Sequence, residues 1–184
     1  EAWTVTHREI TNPTDPFINS KTTNSTRSDS TASKVTASCV QAEIIRVINE
    51  FTDTNSTIVH AAGGLPGDLH KLWQSRGGGD YHSEYGNSCM GYEIAGALGV
   101  KMALPEREIY ALLGDGSYLM LNQELITSIQ ENIKITVVLV DNGGYQCIHN
   151  LQKSCGSESF GNEFRLRDKE HDRLSGDFVA VDFV

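Results

Sequence analysis

The stretch IYALLGDGSYLMLNQELITSIQENIKITVVLVDNGGY, Ile109 to Tyr145, decides the fold. It opens on the apolar run Ile109 to Leu113, which breaks at Gly114, Asp115 and Gly116. Tyr118 to Glu131 then carries Leu121, Leu125, Ile126 and Ile129 at helical spacing, which predicts a helix with one buried face. Ile135 to Val140 is a continuous β-branched run, as expected of a strand covered on both faces. A second turn follows at Asp141, Asn142, Gly143 and Gly144. A right-handed crossover makes the two strands parallel. Both turns then emerge at the carboxyl edge of the sheet, where open α/β sheets bind ligands. Asp115 and Asn142 are predicted to meet there.

Working outward, Gln41 to Phe51 carries Ile44, Ile45, Ile48 and Phe51 at a helical spacing that marks one buried face. Ser56 to Ala61 reads as a short buried strand. Gly63, Gly64, Pro66 and Gly67 read as a loop, and Asp68 to Gln74 as one or two helical turns. After the break at Gly77 to Gly79, Met90 to Ala103 reads as a helix with Gly91, Ala95, Gly96 and Gly99 as small residues along it. Beyond Gly156 the chain is polar, with a mixed charge run from Arg165 to Arg173. Phe178 to Val184 reads as the start of a further strand. The expected class is α/β, a mainly parallel sheet with helices on both faces.

Thr11 to Ser38 is different: rich in Ser, Thr and Asn, with Pro13 and Pro16 and few apolar residues. Such a segment buries too little surface to offset its ordering entropy. The expected organisation is a linker or strap over 1–39 and a ligand-binding domain over 40–184, cut from a larger protein.

The chain has 184 residues and a formal net charge of −9, which argues against nucleic acid and anionic membrane as partners. Cys39, Cys89, Cys147 and Cys155 form no C-x-x-C pair, so free thiols are expected rather than disulfides or a zinc site. No stretch is long and apolar enough to span a bilayer, and no basic-then-apolar leader opens the sequence. The expected location is the cytosol.

An Asp, an Asn and a glycine carbonyl brought together are hard oxygen donors, suited to Mg²⁺ or Ca²⁺. Asp115, Asn142 and a backbone carbonyl near Gly144 are the expected metal ligands, leaving room for phosphate oxygens and water. A helix starting near Ser117 would point its free N–H groups at the same place, and Gly116 would let backbone approach the phosphates. Either turn alone is commonplace; the pair on one β-α-β unit is specific. No G-K-[ST] and no G-x-G-x-x-G after a strand is present, which disfavours P-loop and dinucleotide sites.

GDGS followed by DNGGY resembles the signature of thiamine-diphosphate-dependent enzymes, which runs from GDG to an Asn-Asn pair. Asp141 stands where that pair has its first Asn; Asn142 matches the metal-ligating one. NSCMGYEIAGALGVKMA (Asn87 to Ala103) resembles the family's M-G-x-x-x-x-x-A-x-G segment. The resemblance spans roughly Gln41 to Val184. It implies thiamine diphosphate and Mg²⁺ as cofactors, with coenzyme contacts at Gly64, Leu65, Met90, Gly114, Asp115, Gly116, Ser117, Asn142, Gly144 and Tyr145. Met90 would support the coenzyme rings in the bent shape that brings the amino group near C2. The resemblance also implies that the glutamate activating the coenzyme lies on a pyrimidine-binding domain of the same or a second subunit, in a homo-oligomer. Glu84 and Glu93 are poor substitutes for it, so the chain by itself is expected to be inactive.

AAGGLPGDLHKLWQSR (Ala61 to Arg76), YHSEYGNSCMGYE (Tyr81 to Glu93), GDGSYLMLNQELITSIQE (Gly114 to Glu131) and FGNEFR (Phe160 to Arg165) resemble the branch of this family that hydrolyses a carbon–carbon bond in a cyclic polyol dione. Asp68, His70, His82 and Glu84 are the candidate substrate contacts, with Cys147 and His149 near the metal turn. His7 and His171 are expected in solvent. The rival readings are a carboligase or 2-oxoacid decarboxylase, and a non-catalytic domain that binds a phosphate ligand or mediates assembly.

Overall fold

Ile45 and Ile48 place one face of helix α1 (Ala37–Phe51) in the core. The helix ends as Thr52 donates both its backbone N–H and its hydroxyl to the Ile48 carbonyl. The computed structural model describes residues 3–5 and 37–183. Strand β1 (Trp3–Val5) comes first, then α1, β2 (Ser56–His60), α2 (Gly64–Leu72), β3 (Tyr81–Ser83) and α3 (Tyr92–Ala103). Strand β4 (Glu108–Gly114), α4 (Asp115–Met120), α5 (Glu124–Gln130), β5 (Ile135–Val140) and α6 (Gln146–Ser154) complete the order.

The sheet runs β1-β5-β4-β2-β3, and every pairing in it is parallel. Alternate residues of each strand feed opposite cores. Ile58, Tyr110, Leu112, Val138 and Val140 pack with α1 and with Leu65 and Leu69 of α2. Val59, Ile109, Ala111, Leu113 and Val137 pack with Ile94 and Ala97 of α3 and Leu125 of α5. The α/β class, with helices on both faces, is therefore as the sequence led us to expect. Trp3–Val5, inside the stretch read as linker or strap, is the edge strand beside β5. Residues 11–36 of that stretch, and His7, lie outside the described residues.

Five local expectations differ from the structure. Phe51, read as part of the buried face of α1, is exposed. The Gly63–Gly67 loop is mostly helix: α2 starts at Gly64, and Pro66 sits in its first turn, where a missing N–H removes no intrahelical bond. The Tyr118–Glu131 helix is two helices, broken at Leu121–Gln123. Only Leu125 of its proposed apolar face is buried, while Leu121, Ile126 and Ile129 are exposed. Phe178 onward adds no strand to the sheet; Phe178 forms an antiparallel bridge with Arg165 instead. Strand β3 and helix α6 were not foreseen. Three residues are too short for a period, and the two apolar residues Ile148 and Leu151 of α6 are exposed.

His60 closes β2 fully buried, under the edges of Tyr81 and His70. Neither ring nitrogen has a partner among the described residues. Burial, then the nearby His70 and His82, lowers its pKa from 6.5 to about 4. The folded chain therefore binds fewer protons here than the unfolded one between these values. The His60 contribution is complete above pH 6.5 and is lost as pH falls toward 4. Urea unfolding at pH 7 and pH 5 is expected to differ by about 2 kcal/mol more in the native chain than in His60→Leu. Equal pH slopes would remove this assignment.

Candidate coenzyme and metal site

The carboxyl ends of β4 and β5 lie side by side, Gly114 opposite Val140. Helix α4 begins directly at Asp115, two residues earlier than the sequence suggested, so Gly116 and Ser117 are helical. Asp115 is only 1% exposed. Its Oδ1 accepts the Gly116 N–H at 2.9 Å and its Oδ2 accepts the Gly144 N–H at 2.8 Å. One carboxylate thus ties the two turns together, as their parallel topology led us to expect.

Asn142 Oδ1 lies 2.8 Å from the Gly144 carbonyl oxygen and 3.1 Å from Asp115 Oδ1, so it faces only acceptors. Two arrangements relieve this. A half-turn of the amide puts a donor there; a cation among the three oxygens replaces mutual repulsion with shared ligation. An octahedral ion with oxygens at about 2.0–2.1 Å sets neighbouring ligands about 3 Å apart, close to both spacings. Burial, and then the nearby Asp141 carboxylate, raises the Asp115 pKa to about 6. A divalent cation would offset both effects. The residues present therefore fit Mg²⁺ held by Asp115, Asn142 and the Gly144 carbonyl. Asp141 also shapes the turn, because its Oδ1 accepts the Gly143 N–H at 3.2 Å.

The glycines are required by close approach. A Cβ on Gly116 would sit 2.8 Å from ring carbons of Tyr145. Gly144, at φ +131°, would drive a Cβ into the Asn162 carbonyl oxygen. That contact exists because residues 162–165 cross the turn: Tyr145 N–H donates to Asn162 O at 2.7 Å and Phe164 N–H to Gly143 O at 2.9 Å. Phe164 also meets Tyr145 edge-on, with ring centroids 5.5 Å apart.

The remaining predicted residues divide clearly. Gly64 opens α2, while the Leu65 side chain is in the core, leaving only its backbone for a ligand. Met90 is half-buried in the bend before α3. The Ser117 hydroxyl turns away from solvent to Glu93 Oε2 at 2.7 Å. Asp68 is half-buried on α2 and His70 is exposed, its Nδ1 3.2 Å from the Tyr81 hydroxyl. His82 stacks on Tyr92 and shares a 2.7 Å hydrogen bond with its hydroxyl. Glu84 is committed to its own loop, accepting the Asn87 and Cys89 N–H groups, which hold its pKa below the usual carboxylate range. Cys147 is half-buried; His149 is buried, and its Nδ1 lies 2.9 Å from Ser159 Oγ. His171 pairs with Asp168 at the surface. Cys89, Cys147 and Cys155 are free. Sequence reasoning missed buried His60 and the pairing of Glu93 with Ser117. Glu93 did leave a signal, as a carboxylate among small and apolar neighbours.

A parallel α/β domain with two turns converging on a buried carboxylate at the carboxyl edge of its sheet has the architecture of a ligand-binding domain. The chain belongs to the thiamine pyrophosphate enzyme family: residues 61–181 match its C-terminal TPP binding domain. Over 144 residues it is 55% identical to the 3D-(3,5/4)-trihydroxycyclohexane-1,2-dione hydrolase of Bacillus thuringiensis (strain Al Hakam), covering 78% of this chain and 22% of that protein. The hydrolase of the same name from Bacillus anthracis is also 55% identical, with the same coverage of both chains. The chain therefore spans about a fifth of the length of these relatives. A Rhodococcus jostii RHA1 thiamine diphosphate-dependent 4-hydroxybenzoylformate decarboxylase shares the fold, with a TM-score of 0.62 at 20% identity over 71% of this chain and 25% of that one.

Proposed function

We propose that this chain is the metal- and diphosphate-binding part of a thiamine-diphosphate- and Mg²⁺-dependent hydrolase. Its substrate would be 3D-(3,5/4)-trihydroxycyclohexane-1,2-dione, opened at a carbon–carbon bond with uptake of water. The product would be 5-deoxyglucuronate, a step of myo-inositol breakdown in the cytoplasm. The observation that carries this reading is the 55% identity to relatives bearing that hydrolase name. The oxygen cluster of buried Asp115, half-buried Asn142 and Gly144 supports the cofactor half of it.

Bound thiamine diphosphate supplies a carbon nucleophile and an electron sink. The chain's own residues bind and orient. Asp115, Asn142 and the Gly144 carbonyl would hold Mg²⁺, and the N–H groups at the start of α4 would face the diphosphate. Gly116 and Tyr145 form the wall beside them. Met90 would support the coenzyme rings. His70, with the Tyr81 hydroxyl beside it, offers a donor–acceptor pair suited to the hydroxyls of a polyol; Asp68 and His82 are further contacts. The activating glutamate would come from a pyrimidine-binding domain of the same or a second subunit in a homo-oligomer.

The test uses the full-length protein with Mg²⁺ and thiamine diphosphate, offered the dione and pyruvate separately and followed by NMR. The expected result is ring opening of the dione to an open-chain acid without CO₂ release. Pyruvate consumption with CO₂ release, and no action on the dione, would move the enzyme to the decarboxylase and carboligase branch. Either outcome leaves the Asp115–Asn142 site standing, because both reactions use the same cofactors.

A further inference from the structure

Glu93 is a carboxyl group where packing alone asks for none. It lies in the first turn of α3, 1% exposed, among buried Ile94, Gly96, Ala97 and Leu98. No salt bridge reaches it among the described residues. Burying such a group without a cation is costly unless hydrogen bonds compensate. Those bonds are specific. Glu93 Oε2 accepts the Ser117 hydroxyl at 2.7 Å and the Gly91 N–H at 3.0 Å, and the same N–H lies 2.7 Å from Ser117 Oγ.

The three groups form a closed triangle between two elements distant in sequence. One corner is the bend that carries Met90, where Gly91 has φ +90° and a Cβ would sit 2.8 Å from Leu121 Cβ. The other is the first turn of α4, which begins at Asp115. We propose that Glu93 is a positioning residue: its carboxyl clamps the Met90–Gly91 bend to Ser117 and so sets Met90 in register with the diphosphate- and metal-binding turn. The clamp rests on the reading of Met90 as the support of the coenzyme rings. Burial also pushes the Glu93 carboxyl above the usual range, favouring a neutral group that needs no counter-ion.

The consequence is a separation of two properties. Coenzyme affinity comes from the metal and diphosphate groups, which the clamp leaves in place. Ring geometry comes from Met90, which the clamp orients. The readout is therefore exchange of the coenzyme C2 proton with D₂O in the saturated full-length holoenzyme, followed by quenched NMR, beside coenzyme affinity and kcat.

Glu93→Ala and Ser117→Ala are expected to slow exchange and kcat together by about tenfold, with coenzyme affinity changed by less than about threefold. Glu93→Gln keeps an amide oxygen for the same two donors and is expected to stay within about threefold of the native rate. Met90→Ala is expected to slow exchange as well. If Met90→Ala slows exchange while saturated Glu93→Ala and Ser117→Ala exchange at the native rate, the clamp is overturned and the Met90 reading survives. If Met90→Ala exchanges normally, the Met90 reading fails and the clamp falls with it. Should Glu93→Ala not fold, Ser117→Ala decides, since it removes one oxygen and leaves no large cavity.

Discussion

Asp115→Ala in the full-length protein is expected to weaken thiamine diphosphate binding in the presence of Mg²⁺ by at least about 100-fold and to leave no measurable turnover. Two losses combine. The first is the charged member of the proposed metal-ligand set, the only carboxylate in the Asp115–Asn142–Gly144 cluster. The second is conformational. Asp115 Oδ1 and Oδ2 accept the Gly116 and Gly144 N–H groups, and each buried donor left without a partner costs about 1–3 kcal/mol. Asp115→Asn retains an oxygen at the centre and is expected to bind the coenzyme more tightly than the alanine variant, though still below the native protein. Calorimetric titration with coenzyme, at several Mg²⁺ concentrations, checks both. Native affinity in Asp115→Ala would place the metal elsewhere.

Gly144→Ala is expected to be the most damaging single-methyl change in the domain. A Cβ there collides with the backbone of Asn162 and reaches within 3.0 Å of Glu163 Cα, and backbone cannot swing aside as a long side chain can. The φ of +131° is itself unfavourable for a side chain. Together the overlap and the strain are expected to cost about 3 kcal/mol of stability. They would also displace the Gly144 N–H from Asp115, so coenzyme affinity is expected to fall along with it. Urea unfolding and coenzyme titration of the same variant provide the check. Gly156→Ala is the control: its φ of +77° is also positive, but nothing lies within 4 Å of the added carbon. Equal losses in the two variants would show that strain alone, and not the crossing of residues 162–165, is responsible.

Much of the architecture was legible in the sequence. The β-branched run Ile135–Val140 and the apolar run before Gly114 became the paired central strands β4 and β5. Their parallel direction follows from the helical crossover between them, which brings both following turns to one sheet edge, so the meeting of Asp115 with the Asn142–Gly144 turn was legible too. Short or weakly patterned elements were not. Strand β3 has three residues. The helix after Gly114 breaks at Leu121, which lies against Gly91, a contact no period can encode. Its exposed Ile126 and Ile129 follow the apolar spacing of a buried face without being buried.

The site divides along the same line. Sequence by itself determined the donor chemistry: an Asp, an Asn and a glycine carbonyl on two turns of one β-α-β unit, with glycines where backbone must pass close. That is possible because a helical crossover returns the chain to a parallel strand, so the turns after both strands emerge at the same edge of the sheet and local pattern implies proximity. Only the tertiary structure decided what each side chain does on arrival. It gave the Ser117 hydroxyl to Glu93, the Glu84 carboxylate to its own loop, and the Leu65 side chain to the core. It brought residues 162–165 over Gly144 and buried His60 beneath Tyr81. The reason is physical: which hydrogen-bond partner a polar group takes depends on the few ångströms around it, and those are set by elements far away along the chain.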